Sequence, residues 1–185
     1  MRIAVYCGSF DPLHIGHQAI METITRSEEF DWIYLIISPQ NPFKDPSKAF
    51  SAQDRFEAAV EAVRRHPGLR VWVDDIELSM PAPQYTIRTL DALKKREPGN
   101  EFTLVVGGDN LDSILKWREA ERILTEYGVV AYPREGYDIV SDRDILLRTN
   151  PDFKVRIIDA PLVNISSTEI REGLAEGRDM SSFMM

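Results

Sequence analysis

Short apolar runs of strand length recur along this chain and alternate with stretches whose composition suits helices. The runs predict strands at residues 3–7, 32–38, 70–74, 102–106, 128–132 and 155–158. Regular alternation of strand and helix favours parallel strands joined by right-handed crossover helices. The sequence therefore predicts an α/β fold: a doubly wound, mainly parallel sheet with helices on both faces.

Length, composition and charge narrow the class of protein and the kinds of partner that it can have. With 185 residues, 43% hydrophobic and 28% charged, the chain is expected to form one soluble globular domain over residues 1–185. Its net charge is −8, without a run of lysines and arginines, which disfavours a nucleic-acid partner. The single Cys7 excludes an intramolecular disulfide. Without a leader or an 18-residue apolar stretch, we expect a cytoplasmic protein and no membrane partner; a homo-oligomer stays open.

The first glycine-containing turn, residues 8–10, joins the first predicted strand to a helical stretch at residues 18–25. A strand that feeds a helix through such a turn aims free backbone N–H groups at one point, where a phosphate can bind. His14 and His17, three residues apart, are expected on one face of the first helical turn, with Gly16 between them leaving room for a ligand. This stretch predicts a nucleotide site.

Three later segments also end near the carboxyl edge of the predicted sheet, where open parallel sheets bind ligands. Lys44 stands in a loop with three prolines, at residues 39–46, and Gly107 and Asp109 follow the fourth strand. Ser166 and Glu169 have the spacing of a capping box, so a helix begins there with Arg171 near its first turn.

Residues 8–12 together with 14–17 resemble the signature of the nucleotidyltransferase superfamily, which joins a nucleotide α-phosphate to a second phosphate and releases pyrophosphate. Residues 14–17 also match the signature of class I aminoacyl-tRNA synthetases. With residues 39–44, 85–90, 107–117, 133–136 and 165–171 in order, the chain resembles the nicotinate-nucleotide adenylyltransferase family almost throughout. The resemblance implies adenylyl transfer from ATP to nicotinate mononucleotide, giving deamido-NAD.

The resemblance also implies roles for individual residues. The expected catalytic residues are His14, His17, Lys44 and Arg171. The expected ATP-binding residues are Gly8, Ser9, Phe10, His17, Gly107, Asp109, Ser167, Thr168 and Arg171. The residues expected to bind the nicotinate nucleotide are Ser9, Phe10, Lys44, Tyr85, Thr86, Trp117 and Arg134. Mg²⁺ is expected as a cofactor held mainly by substrate phosphates and water, without a protein metal site, and Asp11 is expected to stabilise the turn instead.

The sequence departs from that family at two places. Phe43 stands where the family usually has a histidine before the lysine, which questions an imidazole contribution from that loop. The family usually continues past residues 181–185 into a closing helix, so that helix is expected to be absent.

Three other functions compete with this interpretation. Phosphopantetheine adenylyltransferase resembles both ends of the chain, but that family has threonine at the position of His14, and a pantetheine arm needs no aromatic platform such as Trp117. A non-catalytic nucleotide sensor would not need the charged groups at His14, His17, Lys44 and Arg171. A class I synthetase fragment fits least, given the chain length and the acidic charge.

Overall fold

The computed structural model describes residues 1–39 and 51–185. Six parallel strands form one sheet in the order β3-β2-β1-β4-β5-β6. The strands are β1 Arg2–Gly8, β2 Trp32–Ile37, β3 Val71–Asp74, β4 Glu101–Gly107, β5 Val129–Tyr132 and β6 Val155–Ile157. The order reverses between β1 and β4, and a reversal of this kind opens a crevice at the carboxyl ends of the strands. The predicted fold is confirmed.

Helices connect the strands on both faces of the sheet. They are α1 Ile15–Ser27, α2 Ala52–Arg64, α3 Thr86–Arg96, α4 Gly108–Ser113, α5 Ala120–Arg122, α6 Ile139–Thr149 and α7 Ser167–Ala175. Short 3₁₀ turns lie at Ile76–Ser79, Ile114–Lys116 and Ser181–Phe183, and one π-helical turn, Ile123–Tyr127, continues α5. Within residues 1–39 and 51–185, no helix combines the length and the apolar character that crossing a bilayer requires.

The alternation of β1 divides the core into two layers. Ile3 and Val5 point to one face, where they join buried side chains of α3, α4 and α6. Ala4 and Tyr6 point to the other face, where α1 and α2 pack. Because the inner strands of a parallel sheet are covered on both faces, their apolar runs are nearly continuous, which is why they were visible in the sequence. The edge strands differ, since Trp72 of β3 and Arg156 of β6 are exposed.

The buried face of α2 differs from the one that its apolar residues indicate. The spacing of Phe56, Ala59, Val60 and Val63 predicts that face, but Val60 is exposed and the fully buried positions are Arg55, Ala59 and Ala62. The face is rotated because the guanidinium of Arg55 finds carbonyl acceptors inside the protein, and a polar group can be buried where it is hydrogen-bonded.

A buried carboxylate links the 3₁₀ turn after β3 to α3. Glu77 is 3% exposed, and its Oε1 accepts a hydrogen bond of 2.8 Å from the Thr89 hydroxyl. The Ser38 hydroxyl, just after β2, also donates to this carboxylate. Burial raises the pKa of Glu77, while the two hydroxyls oppose that rise. The native state therefore holds the Glu77 proton more tightly than the unfolded chain does.

This gives a pH-dependent expectation for the variant Glu77→Gln. Because the native pKa of Glu77 is raised, ionisation of Glu77 lowers the free energy of unfolding as pH rises. Glutamine keeps the oxygen acceptor, and the hydroxyls can accept from its amide nitrogen. We expect the variant to unfold at higher urea concentration than the wild type at pH 7, with a gain that shrinks as pH is lowered toward the carboxyl range. Glu61→Gln, at an exposed position of α2, is the control; a Glu77→Gln variant that is less stable at pH 7 would contradict this account.

Candidate active site

A cavity of about 190 Å³ opens at the carboxyl edge of the sheet, between the ends of β1 and β5. Tyr6 and Tyr132 form its floor at the ends of those two strands. Its walls are the first turn of α1, the residues 133–135 after β5, the residues 161–166 after β6, and Glu169 of α7. The cavity therefore collects the loops at the strand ends, close to the point where the strand order reverses.

Two imidazoles cap the start of α1. His14 is the N-cap residue, and its Nδ1 accepts the backbone N–H groups of Gly16 at 3.0 Å and of His17 at 3.4 Å. In return, Nδ1 of His17 accepts the backbone N–H of His14 at 3.1 Å. This is the reciprocal pattern of a capping box, with imidazoles as both acceptors. The rings stack with centroids 3.6 Å apart, and a Cβ at Gly16 would lie 2.9 Å from the His14 ring, so this close approach needs glycine.

The caps define the protonation of both rings. The backbone N–H groups of Gly16 and His17 donate to His14, so these two groups are not free for a phosphate. An Nδ1 atom that accepts a hydrogen bond carries no proton, so each neutral ring holds its proton on Nε2. Burial first and Arg134 second lower the pKa of His14 to about 4. Burial, then His14 and Arg134, lower the pKa of His17 well below its usual value. At pH 7 the pair supplies neutral Nε2–H donors.

Arg134 supplies the positive charge of the cavity. Its guanidinium lies 5.8 Å from the centre of the Tyr132 ring, and its Nε lies 3.6 Å from Oδ1 of Asp109. Asp109 stands in the first turn of α4, and Gly107 is the N-cap of that helix. The Asp109 Oδ1 atom is buried and has no hydrogen-bond donor within the described part of the chain. A buried acceptor of this kind is suited to a ligand hydroxyl.

The loop after β1 brings Phe10 against the imidazole pair. The Phe10 backbone adopts a left-handed conformation, φ 47°, which is unusual for an aromatic residue. Its buried ring meets the rings of Tyr6 and His17 edge to face, at 5.1 and 5.0 Å. A Cβ at Gly8 would lie 3.0 Å from the Phe10 ring, so glycine there makes room for it. Packing thus fixes this loop in one conformation.

The start of α7 forms one wall of the cavity and also ties down the loop before α1. Ser166 and Glu169 form the predicted capping box. Ser167 donates to the Pro12 carbonyl at 2.9 Å, and Arg171 donates to the Asp11 carbonyl at 2.6 Å. A second nitrogen of Arg171 donates to the Thr168 hydroxyl at 3.2 Å. Arg171 therefore contacts the short loop that leads to His14, and its guanidinium does not line the cavity that holds the histidines.

The predicted pyridine-binding residues lie toward the other face of the sheet. Tyr85 is exposed and precedes α3, and no described side chain caps that helix, whose first residue is Thr86. Trp117 is partly buried against the core layer of α3 and α4, and the guanidinium of the adjacent Arg118 lies 5.3 Å from the Tyr85 ring centre. The segments around Tyr85 and Trp117 are thus neighbours, but they do not line the histidine cavity.

The structure gathers some of the predicted site residues and separates others. His14, His17 and Arg134 share one cavity, and Asp109 reaches it through Arg134. Lys44, with the rest of its loop beyond residue 39 and the departure at Phe43, lies outside the described residues. No group of three or more His, Cys, Asp or Glu side chains within residues 1–39 and 51–185 has the arrangement of a metal site.

Sequence reasoning missed several residues of the site. Tyr6 and Tyr132 were assigned only to strands, although both lie near the carboxyl edge, and residues 161–164 were not assigned at all. Position after a strand was the available signal for these residues. Arg55 was missed because only apolar residues were counted on α2; a charged residue in helical spacing with Ala59 and Ala62 was the signal there.

Comparison with known proteins identifies the family. The cytidylyltransferase-like family model matches residues 5–173. A protein of Flavobacterium johnsoniae named "Probable nicotinate-nucleotide adenylyltransferase" is 35% identical over 100% of this chain and 92% of its own length. A protein of the same name from Bacteroides fragilis is 36% identical over 99% of this chain and 87% of its own length.

Comparison with solved structures agrees on the fold. The Plasmodium falciparum nicotinic acid mononucleotide adenylyltransferase complexed with NaAD superposes with a TM-score of 0.79, at 22% identity, over 99% of this chain and 90% of that one. A likeness at that identity supports the shared fold, and the relatives above extend over nearly the whole sequence. The chain therefore belongs to the nicotinate-nucleotide adenylyltransferase family of cytidylyltransferase-like proteins.

Proposed function

We propose that this protein transfers the adenylyl group of ATP to nicotinate mononucleotide, giving deamido-NAD and pyrophosphate. The observation that carries the proposal is the pair of neutral imidazoles at the carboxyl edge of the sheet, in a chain similar along its whole length to proteins named for this activity. In the reaction, a phosphate oxygen of nicotinate mononucleotide attacks the α-phosphorus of ATP. A new P–O bond forms as the bond from the α-phosphorus to the bridging oxygen breaks, and pyrophosphate leaves.

In this proposal the imidazole pair stabilises charge at the reacting phosphates. The Nε2–H groups of His14 and His17 would donate to phosphate oxygens as negative charge shifts toward the leaving group. Because Nδ1 of each ring is fixed by a backbone N–H, the rings need no reorganisation when the reaction proceeds. Arg134 would add a positive charge at the same cavity. The backbone of Gly8, Ser9 and Phe10, in the loop whose Phe10 ring packs against His17, would contact phosphates of both substrates.

The remaining predicted residues would bind the rest of the two substrates. Asp109, whose Oδ1 has no hydrogen-bond donor in the described part of the chain and lies 3.6 Å from Nε of Arg134, would accept from ribose hydroxyls beside Gly107. The N-terminus of α3, which has no side-chain cap, would offer the backbone N–H of Thr86 to the nicotinate carboxylate beside Tyr85, whose own N–H donates to the Pro83 carbonyl at 3.0 Å. Trp117 would stack on the pyridine ring.

The end of the chain and the proline loop would hold the phosphates. Ser167 and Arg171 would turn from the loop before α1 toward the triphosphate, together with Thr168, whose hydroxyl now accepts from Arg171. Lys44 would bind phosphate. For Arg171 this requires exchange of its present carbonyl partner for a phosphate oxygen, which is the stronger acceptor for a guanidinium.

Mg²⁺ would enter with ATP, held by phosphate oxygens and water. Asp11 is not suited to be its ligand, because its carboxylate is buried and lies 3.9 Å from a nitrogen of Arg171. A reaction that consumes ATP also supports a cytoplasmic location.

The direct test is pyrophosphate release from ATP with one acceptor supplied at a time: nicotinate mononucleotide, nicotinamide mononucleotide or phosphopantetheine. We expect the highest kcat/KM with the first acceptor, and a product with the mass of deamido-NAD. A higher kcat/KM with phosphopantetheine would favour the rival transferase, and ATP binding without turnover on any acceptor would favour a sensor.

Replacing His17 tests the role of the imidazole pair. We expect His17→Ala to lower kcat by about 10² to 10³, as when one transition-state donor is lost, while ATP affinity changes little. His17→Gln separates catalysis from folding, because glutamine is a natural residue at this position of a capping box and can still accept from the backbone N–H of His14.

The measurements are steady-state kinetics, calorimetric ATP binding and the melting temperature. We expect His17→Gln to melt close to the wild type and yet lose turnover. Unchanged turnover in either variant would remove His17 from the catalytic machinery.

A further inference from the structure

A buried arginine outside the predicted site holds the loops after two neighbouring strands. Arg55 of α2 is 2% exposed, and its Nη1 donates to the Ser9 carbonyl at 2.6 Å and to the Ser38 carbonyl at 2.8 Å. Ser9 follows β1 and Ser38 follows β2, so one guanidinium joins both strand ends at the carboxyl edge. Its Nε and Nη2 atoms are buried without an acceptor in the described part of the chain. Burying a guanidinium is costly, and the two carbonyl bonds and the negative charge of the buried Asp11 carboxylate offset part of that cost.

The bond to the Ser9 carbonyl also sets the direction of the next N–H group. The Ser9–Phe10 peptide bond is not among the cis bonds of the chain, and in a trans peptide the C=O and N–H groups point in opposite directions. With the Ser9 carbonyl held against α2, the Phe10 N–H points away from α2. The ring of the same residue packs against that of His17, with centroids 5.0 Å apart, although Phe10 itself is not among the residues that line the histidine cavity.

The backbone at this point is strained and needs such a clamp. Phe10 has φ 47°, and a non-glycine residue stays in that region only when its surroundings fix it. The Phe10 ring is fixed by Tyr6, His17 and the space above Gly8. The peptide on its N-terminal side is fixed by Arg55. Without that bond, the Ser9–Phe10 peptide could rotate and relieve the strain while the ring stayed in place.

We propose that Arg55 is a positioning residue for the reaction: it holds the Ser9 carbonyl so that the Phe10 N–H stays aimed at the substrate phosphates. This inference rests on the proposed function for the identity of the phosphates. Arg55 contacts neither substrate in this role and acts through the backbone of the loop.

Arg70 provides a matched control. Its Nη2 also donates to two carbonyls, those of Thr25 at 2.8 Å and Phe30 at 3.2 Å, and its Nε is also buried without an acceptor within the described residues. Arg70 precedes β3, however, and therefore lies at the amino edge of the sheet, away from the cavity. Both Arg55→Met and Arg70→Met remove a guanidinium from a pair of carbonyls, and only the first affects the loop before His14.

The kinetic arm compares kcat/KM for nicotinate mononucleotide in the two methionine variants and in Arg55→Lys. We expect Arg55→Met to lower kcat/KM by about 10- to 100-fold, since the phosphate donor is misdirected and not deleted. Arg70→Met should stay near the wild type at a similar melting temperature. Arg55→Lys, whose ammonium can reach one carbonyl, should recover part of the loss. A loss in Arg55→Met no greater than in Arg70→Met would overturn the proposal.

A second arm reports on the donor without any turnover. In ¹⁵N–¹H spectra, added pyrophosphate should shift the Phe10 amide signal in the wild type and in Arg70→Met, and should leave it nearly unmoved in Arg55→Met and partly shifted in Arg55→Lys. An equal shift in all four proteins would overturn the role of Arg55. An inactive wild type with this pattern intact would reject only the proposed function, so the two failures are distinguishable.

Discussion

The structure of the site depends on a helix start whose backbone N–H groups are satisfied by imidazoles. A helix that begins at the carboxyl edge of a parallel sheet normally offers its first N–H groups to an anion. Here His14 and His17 take that place, each by accepting at Nδ1. The consequence is a change of donor. The start of the helix presents the Nε2–H groups of the two rings to a ligand in place of its backbone N–H groups. Neutral rings at this position can donate to a phosphate without first losing or gaining a proton.

The layer beneath the imidazoles is unusually rich in buried polar groups. Arg55 joins the carbonyls of Ser9 and Ser38, and the Ser38 hydroxyl meets Glu77. On the other side, Arg171 holds the Asp11 carbonyl. These contacts run along the carboxyl ends of β1 and β2 and up to α7, so the loops that face the substrates are supported by hydrogen bonds from below. Buried hydrogen bonds of this kind restrict the loops that they join, even though Nε and Nη2 of Arg55 find no acceptor among the described residues.

Much of the fold was visible in the sequence, because strands buried on both faces leave apolar runs that need no alternation to be recognised. The site was visible where it coincides with a motif, as at His14, His17 and Ser166. It was not visible where it depends on packing. The inward direction of Arg55 follows from carbonyl acceptors supplied by distant segments, which sequence spacing does not encode. The reciprocal capping by His14 and His17 is local, but spacing alone does not show that each ring accepts through Nδ1.

The central claim, that both imidazoles are neutral and carry their protons on Nε2, is tested most directly by long-range ¹H–¹⁵N correlation spectra of the histidine rings at pH 7. The account predicts that His14 and His17 each show an unprotonated Nδ1 and a protonated Nε2, and that the His14 ring takes up its second proton only near pH 4. Either of two results would contradict it: a ring whose proton is shared between Nδ1 and Nε2, as in a solvent-exposed histidine, or an imidazolium at either position at pH 7.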